Sequence, residues 1–539
     1  MSQKLYTKFD PDYDFSDADY IVIGSGIGGL SAAIFLAKAG KKIVVLEQHY
    51  VPGGFSHTFK RKDGFEWDVG VHYVGNLNED DSQLRVLFNY LSDNRLKWEF
   101  MGDIYDKAIF DGDVYEFPAG KENLRKQLYQ YFPEEKSAID QYFEIVDKAV
   151  SRFRLYFIEK VLPPILRVTL GKLFTKMFRP YSSISTYDQL KKLTSNEKLI
   201  SVLCSQCGNY GLSPRESSFA AHAIVTNHFF EGGYYPVGGA AEIYKNMIQT
   251  LNDHGGKVFI RAEVEEIVTE RKKVTGLRVN NTLIPAKRVI SNAGTHNTFR
   301  HLLKENVNGY LKNSVNGTKA STPHLCLYVG LNASDNDLNL PKHNIWYYDN
   351  YKIDSIIDAN FAKSPETIEF AYISFPSAKD AGWADTHPNM ATIQALSVGN
   401  YDWFKKFEDE AWRNRGEEYE LMKKEFEDKM LEKIYELFPQ IRGHVAVTEV
   451  STPLSTRHFT NYRQGEIYGL AHNTKRFELK TLRPKTPIKG LYMVGQDITV
   501  VGVAGALTSG MLCAIEILKF KVQKEFKRMA RENKDVDRA

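Results

Sequence analysis

The amino-acid sequence predicts an α/β protein. A parallel sheet is assembled from three separated stretches of chain, and two long inserts form a mixed α+β lobe. Three observations predict this. A short apolar run, Tyr20 to Gly24, passes through a glycine-rich turn into an Ala- and Leu-rich stretch and then a second apolar run, Lys42 to Glu47. A similar run, Gly490 to Gly495, recurs near the other end and again precedes a small-residue helical pattern. Between them the apolar spacing changes to longer, aromatic-rich helical segments that a strand–helix–strand sheet does not need.

The polar leader ends near Asp19, and Tyr20 to Gly24 reads as a parallel strand, because a strand covered on both faces loses its polar alternation. Ile27 to Lys38 reads as a helix closed by Gly40. Lys42 to Glu47 completes one right-handed βαβ unit. Mixed helical segments then run from about Leu84 to Phe230. Gly238 to Leu251 reads as a helix. Lys257 to Ile260, Val264 to Val268 and Val274 to Val279 read as strands, with a hairpin turn at Asn280-Asn281. Arg288 to Gly294 is another apolar run. In the second insert, Glu408 to Glu436 reads as one solvated amphipathic helix. Gly505 to Lys519 is the last helix, and the basic tail beyond it reads as a solvated helix. The expected division is 1–80, 226–300 and 481–539 for the nucleotide-binding domain, and 81–225 and 301–480 for the substrate lobe.

Composition narrows the function. At 539 residues the chain exceeds one ordinary core. With 70 basic and 67 acidic residues the net charge is only +3, so no global field points to nucleic acid. Four cysteines make no disulfide framework, which fits a reducing, cytoplasmic setting. Cys204 and Cys207 read as two small helix residues. His222 and His228 do not share one helix face and have no third ligand nearby, so no metal site is expected. The leader has no apolar core of a signal peptide, and no run of about 18 apolar residues would span a membrane. Residues 151–180, rich in Phe, Leu and Ile and carrying seven basic residues against Glu159, read either as a membrane-interface segment or as a helix pair covering the lobe.

The chemistry starts at Gly24-Ser25-Gly26-Ile27-Gly28-Gly29, a G-x-G-x-x-G turn between a strand and a helix. Gly24 permits the tight turn, Gly26 the close approach of a pyrophosphate, and Gly29 close helix–sheet packing. The helix N-terminus then offers free N–H groups to the anion. Glu47, at the end of the second strand and followed by Gln48, is placed to accept ribose hydroxyls.

The next segment separates one dinucleotide from another. Val51-Pro-Gly53-Gly54-Phe-Ser-His57-Thr58 resembles the extended flavin fingerprint of the FAD-dependent amine oxidase and phytoene desaturase superfamily. Val494-Gly495-Gln496-Asp497 with Gly502-Val-Ala504-Gly505-Ala506 resembles its second flavin motif. The resemblance implies bound FAD, an acid near Asp497 at the pyrophosphate–ribityl region, a helix N-terminus aimed at the flavin, and a backbone pairing of Val264 with the adenine. It narrows at Phe65-Glu-Trp-Asp68-Val-Gly70-Val-His72-Tyr73-Val-Gly75 and Tyr235-Pro-Val-Gly-Gly239, which look like the retinol saturase (all-trans-retinol 13,14-reductase) and carotenoid isomerase branch.

That resemblance implies an FAD-dependent oxidoreductase acting on carbon–carbon double bonds of a lipophilic polyene, a retinoid or carotenoid, by hydride transfer at flavin N5. His57, His72, Tyr73 and Tyr235 are the candidates to donate a proton or hold the substrate, and each also reads as a hydrogen-bonded structural residue. No second G-x-G-x-x-G appears, so the reductant would be a visiting NAD(P)H, another donor, or none. Two other readings stay open: a flavin amine oxidase of the same fold, and a non-enzymatic prenyl-binding module like the Rab GDP-dissociation inhibitors.

Overall fold

The Tyr20–Ile23 and Ile43–Leu46 strands form the middle of a six-stranded parallel sheet. A computed structural model describes residues 4–61, 64–304, 309–362 and 367–519 of the chain. Across this sheet the order is Thr7–Lys8, Lys257–Ile260, Ile43–Leu46, Tyr20–Ile23, Val289–Ser291 and Leu491–Met493. Every residue of the two central strands is buried, as two covered faces require. One face carries the Ile27–Lys38 helix, packed against the Gly502–Leu518 helix. These two approach so closely that a Cβ on Gly510 would lie 2.5 Å from that of Ser31. The Gly502–Leu518 helix begins three residues earlier than expected, at a glycine with φ of +82°.

A three-stranded antiparallel sheet, Val264–Glu270, Lys273–Val279 and Thr282–Pro285, follows the Lys257–Ile260 strand. Its second turn is the Asn280-Asn281 hairpin, with φ of 45° and 65°. Asparagine tolerates that left-handed pair better than most residues.

The inserts meet in a seven-stranded sheet ordered Val445–Ser451, His324–Leu331, Ala391–Val398, Phe370–Ser374, Asn344–Tyr348, Ile104–Phe110 and Asp113–Pro118. All neighbours are antiparallel except Asn344–Tyr348 with Ile104–Phe110. The helices Lys136–Val161, Lys172–Ser182 and Phe219–Phe229 pack against one another and share a core with its Ile104–Phe110 and Asp113–Pro118 strands. The Gln83–Ser92 helix lies beyond the boundary expected at residue 80. It nevertheless buries Leu84, Leu87, Phe88 and Leu91 in the same core as the Ile27–Lys38 helix, because those residues form one apolar stripe at helical spacing. Phe229 and Phe230, expected on the nucleotide side, pack into the lobe's core.

The charged stretch from Glu408 is not one helix. The helix spans Glu417–Leu437 and starts after Gly416. Glu408 instead pairs with Arg457. The basic tail after Lys519 lies outside the described residues. Among those described, no helix is long and apolar enough to cross a membrane, and no group of three or more His, Cys, Asp or Glu could hold a metal ion. Cys204 and Cys207 are buried free thiols.

Candidate dinucleotide site and apolar slot

The turn at Gly24 and the N-termini of two helices enclose a cavity of about 890 Å³. Gly24, Gly26, Gly28, Glu47, Gln48, Gly53, Gly54, Val264, Gly495, Asp497 and Gly502 all line it. The glycines are needed where they stand. A Cβ on Gly26 would lie 2.8 Å from Asn292 Nδ2, and one on Gly28 would lie 3.0 Å from the Gly495 nitrogen. Gly53 holds φ of +107° against the Tyr244 ring. Two residues of the wall, Arg463 and His296, each keep one buried nitrogen without a partner, Nε and Nδ1 respectively. A bare-backbone cradle between two helix N-termini fits the pyrophosphate of a dinucleotide.

Beyond Phe55, Gly70, Ile467 and Tyr468 the cavity wall continues into a second, narrow slot of about 90 Å³. Trp346, Ile357, Phe370 and Leu396 give it apolar sides, and it reaches to the face of the seven-stranded sheet. Its present width takes only a chain's end.

A domain profile described as "NAD(P)-binding Rossmann-like domain" matches residues 22–91. The all-trans-retinol 13,14-reductase of Danio rerio is 34% identical over 93% of this chain and 86% of its own length. This chain belongs to the all-trans-retinol 13,14-reductase family. That family also includes a Danio rerio protein named an inactive all-trans-retinol 13,14-reductase, 32% identical over 93% of the chain and 85% of its own length. The prolycopene isomerase of Daucus carota is more distant, at 25% over 92% of the chain and 79% of its own length. Among solved structures, a Methanosarcina mazei oxidoreductase covers 91% of this chain and 98% of its own at 19% identity, TM-score 0.58. Putrescine oxidase covers 93% and 99% at 14% identity, TM-score 0.61. Such likeness shows the fold alone, one shared with these two oxidoreductases.

The remaining expected residues of this family member sit off the cavity wall. Ser25 donates through its hydroxyl (2.6 Å) and backbone N–H (2.9 Å) to Glu47 and accepts the Gly53 N–H. The Glu47 carboxylate thus braces the glycine turn as well as facing the cavity. Gly29 packs against the Gly24 carbonyl, 2.2 Å from where a Cβ would be. Thr58 pairs with Glu66. Ala504 lies on the first turn of its helix, beside the wall residues Val503 and Ala506. His57 Nδ1 donates to the Gly54 carbonyl at 2.6 Å, and burial keeps its ring neutral. Asp497 lines the cavity, but its oxygens accept the Thr295 N–H at 2.7 Å and the Leu470 N–H at 2.9 Å. It joins three chain segments.

Of the proton-donor candidates, His72 reaches the slot. Tyr73 and Tyr235 point behind it, into a polar network that sequence reasoning missed. Tyr73 donates to Asp106 at 2.8 Å, and Tyr235 donates to Asp68. Asp106 also accepts from Gln206, Asn344 and Trp346. Burial pushes Asp106 up to about 6 and Asp68 up to about 7. Lys379 donates to the His72 carbonyl (3.1 Å), to Ser374 (2.6 Å) and to Asn344. Its three acceptors are neutral, and burial brings it down to about 7. No local motif marks Asp106 or Lys379; only the two-insert sheet brings them together. Asn292, which fills the cradle behind the glycine turn, was likewise invisible beyond the small-residue end of its strand.

Proposed function

We propose that this chain binds FAD in the large cavity and uses it to reduce, or reversibly exchange hydrogen at, a carbon–carbon double bond of a lipophilic polyene. The observation that carries the reading is the shared wall of Phe55, Gly70, Ile467 and Tyr468, which sets an apolar slot directly beside the dinucleotide cavity. Gly24, Gly26 and Gly28 would hold the pyrophosphate on the first helix. Glu47 would meet the ribose, and Val264 the adenine. Gly54, Gly70 and the Gly502 helix N-terminus would flank the ring. When bound and reduced, FAD supplies a hydride equivalent at N5. The chain's own residues exclude water and fix the polyene against the cavity mouth, and His72 is the candidate to hold a proton there. The apolar slot walls favour a hydrocarbon chain over a small amine, against the amine oxidase reading. NAD(P)H is the proposed electron source for a net reduction.

Anaerobic incubation of the reduced, FAD-loaded protein with all-trans-retinol and with lycopene isomers, followed by product chromatography, tests the reading. A saturated or isomerised polyene is expected. Unchanged polyenes together with turnover of amines to peroxide would replace it. One family relative is named inactive, so an active member run in parallel is the necessary control.

A membrane surface is the proposed source of the polyene. Six of the twelve most exposed large apolar side chains among the described residues are Ile158, Ile165, Leu166, Val168, Leu170 and Leu173. They cluster where Pro163-Pro164 break the helix, beside exposed Arg154, Lys172, Lys176 and Arg179. Lys160, counted among the basic residues of this segment, is instead buried on the Leu482 carbonyl. Apolar side chains ringed by cations suit an anionic lipid interface. Flotation with anionic liposomes is expected, and an Ile165→Glu/Val168→Glu variant should lose it. Indifference of the parent protein to liposomes would reject the contact.

A further inference from the structure

A strip of irregular chain, residues 69–73, stands between the dinucleotide cavity and the apolar slot. Gly70 lines both, Val71 lines the first, and Val69 and His72 line the second. The strip belongs to no helix or strand. Among the described residues, positions 70–73 make no hydrogen bond from main chain to main chain. The one hydrogen bond their main chain does take comes from a side chain: Lys379 Nζ donates to the His72 carbonyl at 3.1 Å.

Lys379 is itself anchored to the seven-stranded sheet. Its ammonium donates to Ser374 at 2.6 Å and to Asn344, which close the Phe370–Ser374 strand and open the Asn344–Tyr348 strand. An ammonium has three donors, and here each meets one acceptor. The residue is 0% exposed. Burial disfavours its charge, and the fields of Asp106 and Asp68 favour it. The hydrogen bonds to those two acids all come from neutral donors. Tyr73, bonded to Asp106, and Tyr235, bonded to Asp68, set their ring centroids 5.9 Å and 6.0 Å from the same ammonium. A buried cation thus ties an otherwise unpaired strip to the most rigid element beside it.

We propose that Lys379 is a positioning residue: by holding the His72 carbonyl from the sheet, it fixes the strip between the two cavities and so sets the distance between the reacting carbon of the polyene and the flavin. The role rests on the flavin–polyene reading of those cavities. Reacting atoms must come within about 3–3.5 Å, and a misplacement of about 1 Å costs on the order of 100-fold in rate. Lys379 acts on that distance only through the strip, since it lines neither cavity.

The test uses the full-length, FAD-loaded protein, reduced and in anaerobic excess over all-trans-retinol or a lycopene isomer. Rapid quench and chromatography give the single-turnover rate of polyene conversion, and its dependence on protein concentration gives the polyene affinity. Flavin fluorescence gives the FAD affinity. Lys379→Met keeps the straight apolar stem and removes all three donors. It should slow conversion on the order of 100-fold, with FAD and polyene affinities unchanged. Ser374→Ala removes one sheet anchor and keeps the His72 contact. It should slow conversion about threefold, the worth of one modest hydrogen bond, again with affinities unchanged. If Lys379→Met yields no folded protein, Ser374→Ala alone decides. Conversion at the parent rate in the folded variants, or a rate that falls only as FAD or polyene affinity falls with it, overturns the role and leaves the polyene reading standing. A parent protein that converts neither polyene overturns both.

Discussion

At the scale of single residues, the cavity depends on what is missing from side chains. Gly28→Ala places a methyl 2.9 Å from Asn292 Oδ1 and 3.0 Å from the Gly495 nitrogen, where a bound pyrophosphate would also have to sit. FAD affinity, read by flavin fluorescence titration, should fall about tenfold or more, ~1.4 kcal/mol. Undiminished affinity would remove Gly28 from the cradle. Asp497 acts differently. It accepts two backbone N–H groups from segments distant in sequence, and a bond to a charged acceptor is worth about 1.5–3 kcal/mol. Asp497→Ala should therefore lower unfolding free energy by about 3 kcal/mol or more in urea. A loss of flavin without any loss of stability would assign the carboxylate to the cofactor instead.

At the scale of elements, the contact between the Ile27–Lys38 and Gly502–Leu518 helices decides whether both N-termini face one cavity. Gly510→Leu forces atoms into Ser31 and Ala32, with Cβ only 2.5–2.6 Å from them. It should cost about 3 kcal/mol, as overpacking does, and weaken FAD binding as the helices part. A denaturation midpoint unchanged from the parent would contradict that crossing. Elements of this kind were the legible part of the sequence. Tyr20–Gly24, Ile27–Lys38, the hairpin at Asn280-Asn281 and the strand near Leu491 come from local apolar period and turn chemistry, which act over a few residues. The helix expected from Glu408 failed for a local reason too: Gly416 interrupts it, and Glu408 is drawn to Arg457. The seven-stranded sheet was not legible. Its partners Ile104–Phe110 and Asn344–Tyr348 lie more than 230 residues apart, so nothing in either segment specifies the other. The network of Asp106 and Lys379, and the contact of the His72 ring with Tyr372, exist only once that sheet has formed.

At the scale of the whole molecule, burial sets the response to acid. His222 and His72 are brought down to about 3, and His228, His324, His49 and His343 to about 4. Their unfolded value is near 6.5, so between pH 6.5 and 4 the unfolded chain binds more protons. Stability present above pH 6.5 is lost as pH falls through that window. Asp68, Asp106 and Asp335, raised by burial to about 7, 6 and 6, act in the opposite sense but are fewer. The Tm measured by circular dichroism should therefore fall steadily from pH 7 to pH 4.5. A Tm that rises over this range would show the buried carboxylic acids to dominate. The same molecule-wide connectivity governs how the chain matures. Its six-stranded sheet takes strands from residues 7–8 and from 491–493, so the first βαβ unit emerges from the ribosome hundreds of residues before its neighbour exists. Until residues 491–493 have been made, the Val289–Ser291 strand keeps an open hydrogen-bonding edge. The nascent protein must shelter that edge from sticking to other chains, and a transcript truncated before residue 490 would yield a polypeptide that never can.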